Sequence, residues 1–507
     1  MLFSEDIWNQ WVARTEDKFE RKSYIHFDHP FDFVKRQNEI KSFFTTSGKI
    51  SKHSFLPLIK IITKTPRFKF QDDLREYGLE TKERPISFAS HLDTFLYGFY
   101  SYALTEVYQK YIKDRGFDDC VLAYRTDLNG KCNIQFAKEA FETIRAKGPC
   151  TALALDIKGY FDSIDHTILK SMWCRVLGQL SLAPDDYAIY KSLTKYAYVK
   201  QSTLLKHFGL KVRGKNIKKP SSYSNILKGK TLSEKLNSLR EDDVIVVNRA
   251  HEVLANGKKR YFGIPQGSSL SALLSNVYLL EFDEFMFKIG QERNFVYRRY
   301  CDDILIICPT RDATDIQKII IDTIRNDFHL TIQDKKVEMI EFAFNSKKQI
   351  RAFNLKKISQ DLPSQLNSSN EQRYYKNLQY LGFEFTGQTI LIRNSSLSRY
   401  FRKMRARIVK TIGMAYGKRA VSDRVFKEQI LHRYTHLGKR NFLHYAYHAS
   451  QNEYRVRKGI RTGMDSPAIR KQLARHFQII FKSLSIKNSK RFAFKIASGK
   501  GTKFKKI

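Results

Sequence analysis

An apolar run that ends in a single acid marks the first predicted strand of interest. Residues 151–157 are apolar except for Thr151 and Asp156, and a polar, mixed stretch follows over residues 158–166. A short continuous apolar run of this kind is typical of a buried strand. The pattern therefore predicts a strand that delivers Asp156 to its end.

A second pair of apolar runs surrounds two adjacent acids. Residues 295–297 and 304–307 are apolar, and residues 300–303 between them read Tyr-Cys-Asp-Asp. Two strands joined by a tight turn would place Asp302 and Asp303 at the tip of a hairpin. Aspartate is also frequent in ordinary turns, so this pair taken alone favours a structural interpretation.

Helical periodicity appears in three other places. A loop of Gly, Pro, Gln and Ser at residues 263–271 precedes apolar positions spaced as on one helix face, and residues 90–112 form an aromatic helical pattern. A third helix is predicted to begin near Ser395 or Ser396 as its N-cap. Its apolar positions are Leu397, Phe401, Met404, Ile408 and Ile412, and its other face is basic. That basic face is either a surface for a nucleic-acid backbone or a solvated face.

The acids change the interpretation of the strands. A carboxylate at the end of a buried strand costs free energy unless it is paired or binds a metal. Two such sites that meet in space can hold two divalent cations roughly 3.5–4 Å apart, as phosphoryl-transfer sites do. Carboxylate oxygens suit Mg²⁺, which keeps waters and substrate phosphates in its shell. We therefore expect Mg²⁺, with Mn²⁺ as the alternative.

Taken in chain order, these segments resemble the motifs of reverse transcriptases. The strand ending at Asp156 looks like polymerase motif A, the Pro-Gln-Gly loop like motif B, and residues 300–303 like the Tyr-x-Asp-Asp box of motif C. Four more segments look like the lysine-bearing motif D, the Leu-Gly-Phe motif E and two fingers motifs: residues 330–336, 381–385, 82–86 and 123–125. The resemblance covers roughly residues 80–390.

The resemblance implies catalytic and metal-binding roles for four residues. Asp156, Asp302 and Asp303 would hold the metal ions, with Asp303 the less direct ligand. Lys336 would protonate the pyrophosphate leaving group, and Lys335 is the alternative because the alignment can shift by one.

The resemblance also implies how the incoming nucleotide is held. The implied substrate-binding residues are Lys82, Arg84, Arg125, Phe161, Gln266, Gly267 and Tyr300. Lys82 and Arg84 would hold the triphosphate, Arg84 by a bidentate contact, with Arg125 a weaker candidate. Phe161 would exclude a ribose 2′-hydroxyl, the alternative being a core aromatic. Gln266 would lie against the nascent base pair or the template.

Composition points to a polyanionic partner. The 507 residues carry 90 Lys and Arg against 51 Asp and Glu, a formal net charge of +39. Such an excess favours binding to nucleic acid. No apolar run is long enough to span a membrane, and the first 22 residues lack a secretory apolar core. The six cysteines have no Cys-x-x-Cys spacing, so we expect reduced thiols in a cytoplasmic protein.

The predicted fold is α+β: a right-hand polymerase with fingers, a ferredoxin-like palm and a thumb, followed by a mainly helical basic C-terminal domain. Its predicted segments are an N-terminal extension at 1–80, fingers and palm at 81–390, thumb-like helices at 391–450 and the basic C-terminal region at 451–507. Insertions are predicted near residues 200–235 and 357–371. The last segment has 16 Lys and Arg against 2 Asp and Glu. Its aromatics would either stack on unpaired bases or form a small core.

The motifs resemble one branch of the family more than the others. Neither the Cys/His-bearing tail of group II intron enzymes, nor a retron-type Val-Thr-Gly signature, nor an acidic RNase H cluster is recognisable. What remains resembles the bacterial defence-associated (unknown-group and abortive-infection) enzymes. That resemblance implies antiphage defence, an RNA template and often a dedicated non-coding RNA, dNTPs as substrates, a DNA product and, as an open option, a homo-oligomer. Group II intron or retron enzymes, an RNA-dependent RNA polymerase and a non-catalytic RNA-binding scaffold remain alternatives.

Overall fold

Helices and strands alternate along the whole of the described chain. The computed structural model describes residues 4–15, 24, 26–30, 32–71, 76–209, 231–360, 371–416, 425–457 and 459–497. The helices and strands that the predicted α+β class requires are both present as a mixed set of elements. The right-hand polymerase arrangement within that class stays a prediction.

The helices lie in every part of the described chain. They are α1 (Glu5–Thr15), α2 (Gln37–Thr45), α3 (His91–Asp114), α4 (Asn133–Lys147), α5 (Tyr160–Ser163), α6 (His166–Leu177), α7 (Pro184–Thr194), α8 (Gln201–His207), α9 (Leu232–Glu241), α10 (Ser269–Tyr278), α11 (Leu280–Glu292), α12 (Ala313–Asn326), α13 (Leu355–Gln360), α14 (Asn394–Ala415), α15 (Glu428–Tyr434), α16 (Phe442–Ser450), α17 (Pro467–Leu473) and α18 (His476–Ala497).

The strands form small sheets. They are β1 (Leu58–Gln71), β2 (Glu76–Phe88), β3 (Cys150–Asp156), β4 (Ala197–Lys200), β5 (Val246–Val247), β6 (His251–Val253), β7 (Lys259–Tyr261), β8 (Val296–Tyr300), β9 (Asp303–Cys308), β10 (Glu338–Phe344), β11 (Ile350–Asn354), β12 (Leu378–Tyr380), β13 (Phe383–Phe385), β14 (Ile390–Ile392), β15 (Glu453–Val456) and β16 (Gly459–Thr462). Their orders are β2-β1-β4-β5, β11-β10-β3-β9-β8, β12-β13-β14, β15-β16 and β6-β7.

Two compact units interleave along the chain. Unit 1 comprises Met1–Asp127, Leu155–Ile304 and Asp315–Lys335, and unit 2 comprises Leu128–Ala154, Leu305–Thr314 and Lys336–Ile507. Neither unit is a single continuous segment. The predicted division into consecutive segments stays a prediction, although its boundary at residue 80 falls inside β2.

The N-terminal helices of unit 1 share an aromatic core with α3. Trp8 and Trp11 of α1 contact Phe99 of α3 edge-on, with ring centroids 5.6 and 5.4 Å apart. Phe44 of α2 stacks on the same Phe99 ring at 5.6 Å. Aromatic contacts of this kind add stabilisation beyond the area they bury. The predicted aromatic helix at residues 90–112 is therefore confirmed as α3, and α1 and α2 help to bury it.

A long two-stranded hairpin dominates the first sheet of unit 1. β1 and β2 pair antiparallel from Ile59 opposite Phe88 to Gln71 opposite Glu76, and β4 joins β1 in parallel. Beneath the sheet lies a small core that includes Ile59, Val199 and Leu239.

In unit 2, α4 packs against the three-stranded sheet β12-β13-β14. Phe141 of α4 stacks on Phe385 of β13 with ring centroids 4.8 Å apart. The side-chain amide of Asn133 donates to the carbonyl of Leu381 at 2.9 Å, in the turn that precedes β13. The segment predicted as motif E is thus held by side chains some 240 residues earlier in the chain.

Helix α14 matches the third predicted helix with one correction. It begins at Asn394 with Arg393 as N-cap, and the Arg393 side chain makes no capping hydrogen bond, so the predicted serine cap is wrong. Oε1 of Glu384 instead accepts from the N–H of Asn394 at 3.0 Å. The predicted apolar face is confirmed for four of its five positions: Leu397, Met404, Ile408 and Ile412 are buried, and Phe401 is half-buried.

The C-terminal region contains strands that the sequence analysis did not predict. β15 and β16 pair as a hairpin from Glu453 opposite Thr462 to Val456 opposite Gly459, before α17 and α18 begin. The core of the first predicted insertion, residues 210–230, and most of the second, residues 361–370, lie outside the described residues. Within the described part of the chain, no helix is long and apolar enough to cross a membrane.

Candidate active site

The two predicted acid segments are neighbours. Asp156 is the last residue of β3, and Asp303 is the first residue of β9. The backbone N–H of Ile157 donates to the carbonyl of Asp302 at 3.0 Å, which joins the strand end to the turn. All three aspartates are half-buried. The fold therefore brings together the acids that the sequence pattern placed in two separate segments.

A third segment borders the same strand end. The N–H of Gln333 donates to the carbonyl of Asp156 at 2.8 Å, and the N–H of Lys158 donates to the carbonyl of Thr331 at 2.8 Å. Lys336 follows Gln333 by three residues, in a short 3-10 turn, and is exposed. Its role as a proton donor stays a prediction. The side chain of Lys335 lies outside the described residues.

The turn between β8 and β9 has an unusual backbone. Cys301 has φ +59°, in the left-handed region that few non-glycine residues occupy. Its buried thiol accepts a hydrogen bond from the Tyr124 hydroxyl at 3.5 Å, and burial raises the pKa of the thiol to about 11. The thiol is therefore neutral at physiological pH. Tyr300, at the end of β8, is half-buried.

A buried arginine supports this turn from below. Arg299 and Asp283 are both fully buried, and the guanidinium meets the carboxylate at 2.8 Å (Nε–Oδ1) and 2.5 Å (Nη2–Oδ2). Nη1 of Arg299 donates to the carbonyl of Cys301 at 3.1 Å and to Oδ1 of Asn276 at 3.2 Å. Burial alone would lower the pKa of Arg299, but the carboxylate of Asp283 raises it well above its usual range. The arginine is a fixed cation that holds the left-handed turn in place.

Sequence reasoning missed this support. Neither Arg299 nor Asp283 is among the site residues that the sequence analysis predicted. The available signal was an acid among the apolar positions of residues 280–292, together with an arginine inside a strand. Buried charges at such positions must be paired.

The proposed steric gate lies against the Pro-Gln-Gly loop. Phe161 is in the short helix α5 and is half-buried. Its carbonyl accepts from the N–H of Ile264 at 2.9 Å, and the carbonyl of Ile164 accepts from the N–H of Gly263 at 2.8 Å. These two backbone hydrogen bonds join the loop to α5 and the residue that follows it, so the structure places together two segments that a nucleotide site would need.

The same loop is fastened to β2 at its other end. The carbonyl of Gln266 accepts from the N–H of Ser87 at 2.8 Å, while the Gln266 residue itself is exposed. Gly267 has φ +132°, and a Cβ there would collide with the carbonyl oxygen of Ser87. Only glycine allows this close approach. Ser268 then caps α10 by accepting from the N–H of Ser271 at 3.0 Å.

Two of the predicted phosphate contacts lie on that strand. Lys82 and Arg84 belong to β2, opposite Thr65 and Thr63 of β1. Alternate residues of a strand point to one face, so their side chains share a face. Lys82 is half-buried and Arg84 is exposed. Their contact with a triphosphate stays a prediction.

Arg125 requires a correction. Its side chain is only 1% exposed, and its guanidinium forms ion pairs with Asp127 and Asp118. It also donates to the carbonyl oxygens of Asp118 and Val121. Four hydrogen bonds occupy most of the guanidinium donors within its own loop, so the structure gives Arg125 a role in holding the loop.

The donor set suits a hard divalent cation that arrives with its substrate. Within the described residues, no group of three or more His, Cys, Asp or Glu side chains is arranged to hold a metal ion. Mg²⁺ is commonly bound through one or two carboxylates, with waters and substrate phosphates completing its shell. Carboxylates at Asp156, Asp302 and Asp303, on adjoining backbone segments, fit that mode of binding. They do not form a closed protein cage.

A comparison with known protein families finds a match for the segment that contains the Tyr-Cys-Asp-Asp turn. Residues 227–385 match the family model for reverse transcriptase (RNA-dependent DNA polymerase). The chain contains a reverse transcriptase domain. The match marks that domain as an RNA-directed DNA polymerase, a nucleotidyltransferase, and includes the Pro-Gln-Gly loop, the Tyr-Cys-Asp-Asp turn and the predicted motifs D and E. Asp156 and β2 lie on its N-terminal side.

Other comparisons are more distant. No curated protein sequence matches the chain. Among solved structures, telomerase from Candida albicans in complex with the TWJ fragment of telomeric RNA has a TM-score of 0.32 and 13% identity, covering 96% of this chain and 65% of that one. Apo telomerase from Candida tropicalis has a TM-score of 0.34 and 12% identity, covering 79% and 62%. The chain therefore spans less than two thirds of the length of these telomerase chains.

Proposed function

We propose that the whole chain is an RNA-directed DNA polymerase that extends a DNA strand on an RNA template. The reverse transcriptase domain supports this activity. The observation that carries the proposed site is the hydrogen bond between Ile157 and Asp302, because it joins the acid outside the matched segment to the two acids inside it.

In the proposed reaction, the 3′-oxygen of the growing strand attacks the α-phosphorus of a dNTP. A new P–O bond forms, the bond to the β-phosphate oxygen breaks, and pyrophosphate leaves. Divalent metal ions, held by the three aspartates, would activate the attacking oxygen and stabilise the leaving one.

The other residues would orient the nucleotide. Arg299 would hold the backbone of the hairpin turn and so position Asp302 and Asp303. Phe161 would exclude a ribose 2′-hydroxyl, and Gln266 would lie against the new base pair. Arg84 would form a fork with phosphate oxygens, and Lys336 would donate a proton to pyrophosphate.

Primer extension tests the site assignment. We expect Asp302→Asn and Asp303→Asn each to lower dNTP incorporation by several powers of ten with Mg²⁺ or Mn²⁺, because each removes a metal ligand. Asp315→Asn is the matched control, since Asp315 is an exposed helix residue paired with Arg293. Wild-type rates in folded Asp302→Asn and Asp303→Asn variants would reject the assignment.

We further propose that the enzyme acts in the bacterial cytoplasm, in antiphage defence, with a dedicated non-coding RNA. The resemblance of residues 299–303 to the Arg-Tyr-Ala-Asp-Asp form of bacterial enzymes and the net charge of +39 support this narrower assignment. Sequencing the nucleic acid that copurifies with the protein tests it, and a single dominant small RNA is the expected result. A heterogeneous mixture of cellular RNA would count against the dedicated RNA. Light scattering on the same sample would give the molar mass in solution and so test whether the chain forms the homo-oligomer that the resemblance leaves open.

A further inference from the structure

A pocket of about 870 Å³ lies in unit 2, formed by α14, α15, the loop at residues 438–441 and the first residue of α16. We call it the α14–α15 pocket. Its volume is within the usual range for sites that bind small molecules. Six permanently cationic residues line it: Arg399, Lys403, Arg407, Arg433, Lys439 and Arg440.

The cations of α14 divide into two groups by helical spacing. Arg399, Lys403 and Arg407 recur every four residues and line the pocket. Arg402, Arg405 and Lys410, on the same helix, are exposed and do not line it. Like charges four residues apart destabilise a helix. Their concentration on the stripe that faces a concavity therefore calls for an anionic ligand.

The charges in the pocket lack compensation from its own lining. Among the described residues that line it, none is Asp or Glu. Arg407 donates from Nη2 to Oε1 of Gln429 at 2.6 Å, but its buried Nε has no hydrogen-bond partner. A buried guanidinium N–H without an acceptor costs free energy. The lining therefore presents positive charge without an acidic partner, which favours an anionic ligand.

The pocket also has an aromatic part. The rings of Tyr400 and Phe442 stack with centroids 5.0 Å apart and an angle of 27° between their planes. The Tyr400 hydroxyl donates to the carbonyl of Tyr434 at 2.6 Å, which fixes that ring, and Phe442 remains half-buried. Aromatic faces beside a cationic groove are the usual combination for binding unpaired bases and their phosphates.

We propose that the α14–α15 pocket binds an unpaired nucleotide unit of single-stranded RNA, with its phosphates on the arginines and lysines and its base against Phe442. The choice of RNA as the ligand rests on the proposed function, and the rest of the proposal does not depend on it. It assigns a discrete site, separate from the general attraction of a basic surface for a duplex.

Binding without catalysis tests the pocket. The probe is a fluorescein-labelled oligouridylate of roughly ten nucleotides, a length within the range that single-strand sites cover. Fluorescence anisotropy of the full chain is measured over a series of salt concentrations. The pocket variant is Arg399→Gln with Lys403→Gln. The matched control is Arg405→Gln with Lys410→Gln, which removes the same charge from the same helix.

The salt dependence gives the expected magnitudes. Each lost phosphate contact lowers the slope of log affinity against log salt by about 0.7 for a single strand. The pocket variant should lose about 1.4 in slope and bind about tenfold more weakly near 0.15 M salt. The control should change much less. Phe442→Leu should weaken binding by about tenfold with an unchanged slope, because it removes stacking and no charge.

Several outcomes would overturn the proposal. Equal losses in the pocket variant and the control would mean a diffuse basic face. Equal competition by polyglutamate, or by tripolyphosphate at matched phosphate concentration, would mean that no nucleotide is recognised. Stronger binding of oligodeoxythymidylate would reject RNA as the ligand. Primer extension on a short paired template, measured in parallel, separates this result from a failure of the polymerase activity itself.

Discussion

Replacing Arg299 by lysine should impair catalysis through the turn that carries Asp302. The substitution keeps the buried positive charge but removes the planar fork. A single ammonium group cannot bind both oxygens of Asp283 and also donate to the carbonyl of Cys301. The left-handed turn would then lose the donor that fixes it.

The magnitude follows from the burial of the pair. Both side chains have 0% exposure, and breaking a buried, hydrogen-bonded ion pair typically costs about 3–5 kcal/mol. Because lysine retains part of the interaction, we expect Arg299→Lys to lower the free energy of unfolding by about 2–4 kcal/mol. A shift of the turn of about 1 Å would lower kcat on the order of a hundredfold.

Three measurements distinguish positioning from simple instability. Chemical denaturation gives the stability, and primer extension well below the unfolding midpoint gives kcat and the KM for dNTP. A Mg²⁺ titration of the rate gives the metal dependence. We expect a lower kcat, a higher Mg²⁺ requirement and a nearly unchanged KM. The control is Arg293→Lys, whose ion pair with Asp315 is 45% and 59% exposed and should contribute less than about 1 kcal/mol.

A folded Arg299→Lys variant with wild-type kcat and Mg²⁺ dependence would refute the reasoning. So would an equal loss of kcat in Arg293→Lys, since that pair lies on the surface. A loss of stability alone would leave Arg299 as a packing residue with no influence on the turn.

Four further perturbations test other parts of unit 1 and helix α14. Phe161→Val should raise incorporation of ribonucleotides relative to deoxyribonucleotides in primer extension. Gly267→Ala should lower the free energy of unfolding by about 1–3 kcal/mol and reduce activity, because the new Cβ would collide with the backbone of Ser87. Gly413→Ala should stabilise α14 by about 0.5–1 kcal/mol, because a Cβ there meets no atom within 4 Å. Burial lowers the pKa of His26 to about 4, so this group should remove up to about 3 kcal/mol of stability as pH falls from 6.5 to 4.

Each of these has a contrary result. An unchanged nucleotide preference in folded Phe161→Val would place the gate elsewhere. Full stability and activity in Gly267→Ala would mean that the loop does not need its close approach to β2. For the histidine, the unfolded chain takes up the proton near pH 6.5 while the folded chain resists it, so stability must fall with falling pH. An equally steep fall in His26→Gln would assign the effect to other groups.

The sequence predicted the acid-bearing elements because their signals are local. An apolar run that stops at an acid became β3, which ends at Asp156, and the two runs around residues 301–302 became β8 and β9. The Gly-Pro-Ser stretch became the loop that precedes α10. In each case neighbouring residues set the backbone conformation.

Interactions between distant segments were not predictable in the same way. The sequence suggested that Arg125 could bind phosphate, but in the folded chain its guanidinium bonds to Asp118, Val121 and Asp127. Arg299 and Asp283 pair across 16 positions, a partnership visible only once α11 lies beside β8. The hairpin β15–β16 did have a local signal, the glycine at Gly459, which the helical interpretation of the basic tail passed over.

The interleaving of the two units has a consequence for synthesis on the ribosome. Unit 1 is incomplete until residue 335 has been made, and residues 128–154 of unit 2 are made before the bulk of their partners, which start at residue 336. At typical translation rates that interval is roughly 10–40 s. During it, α4 and β3 expose apolar faces meant for β10 and β13. Because segments of the two units alternate along the chain, neither unit can finish folding before the other has been partly synthesised. We therefore expect the nascent chain to depend on chaperones.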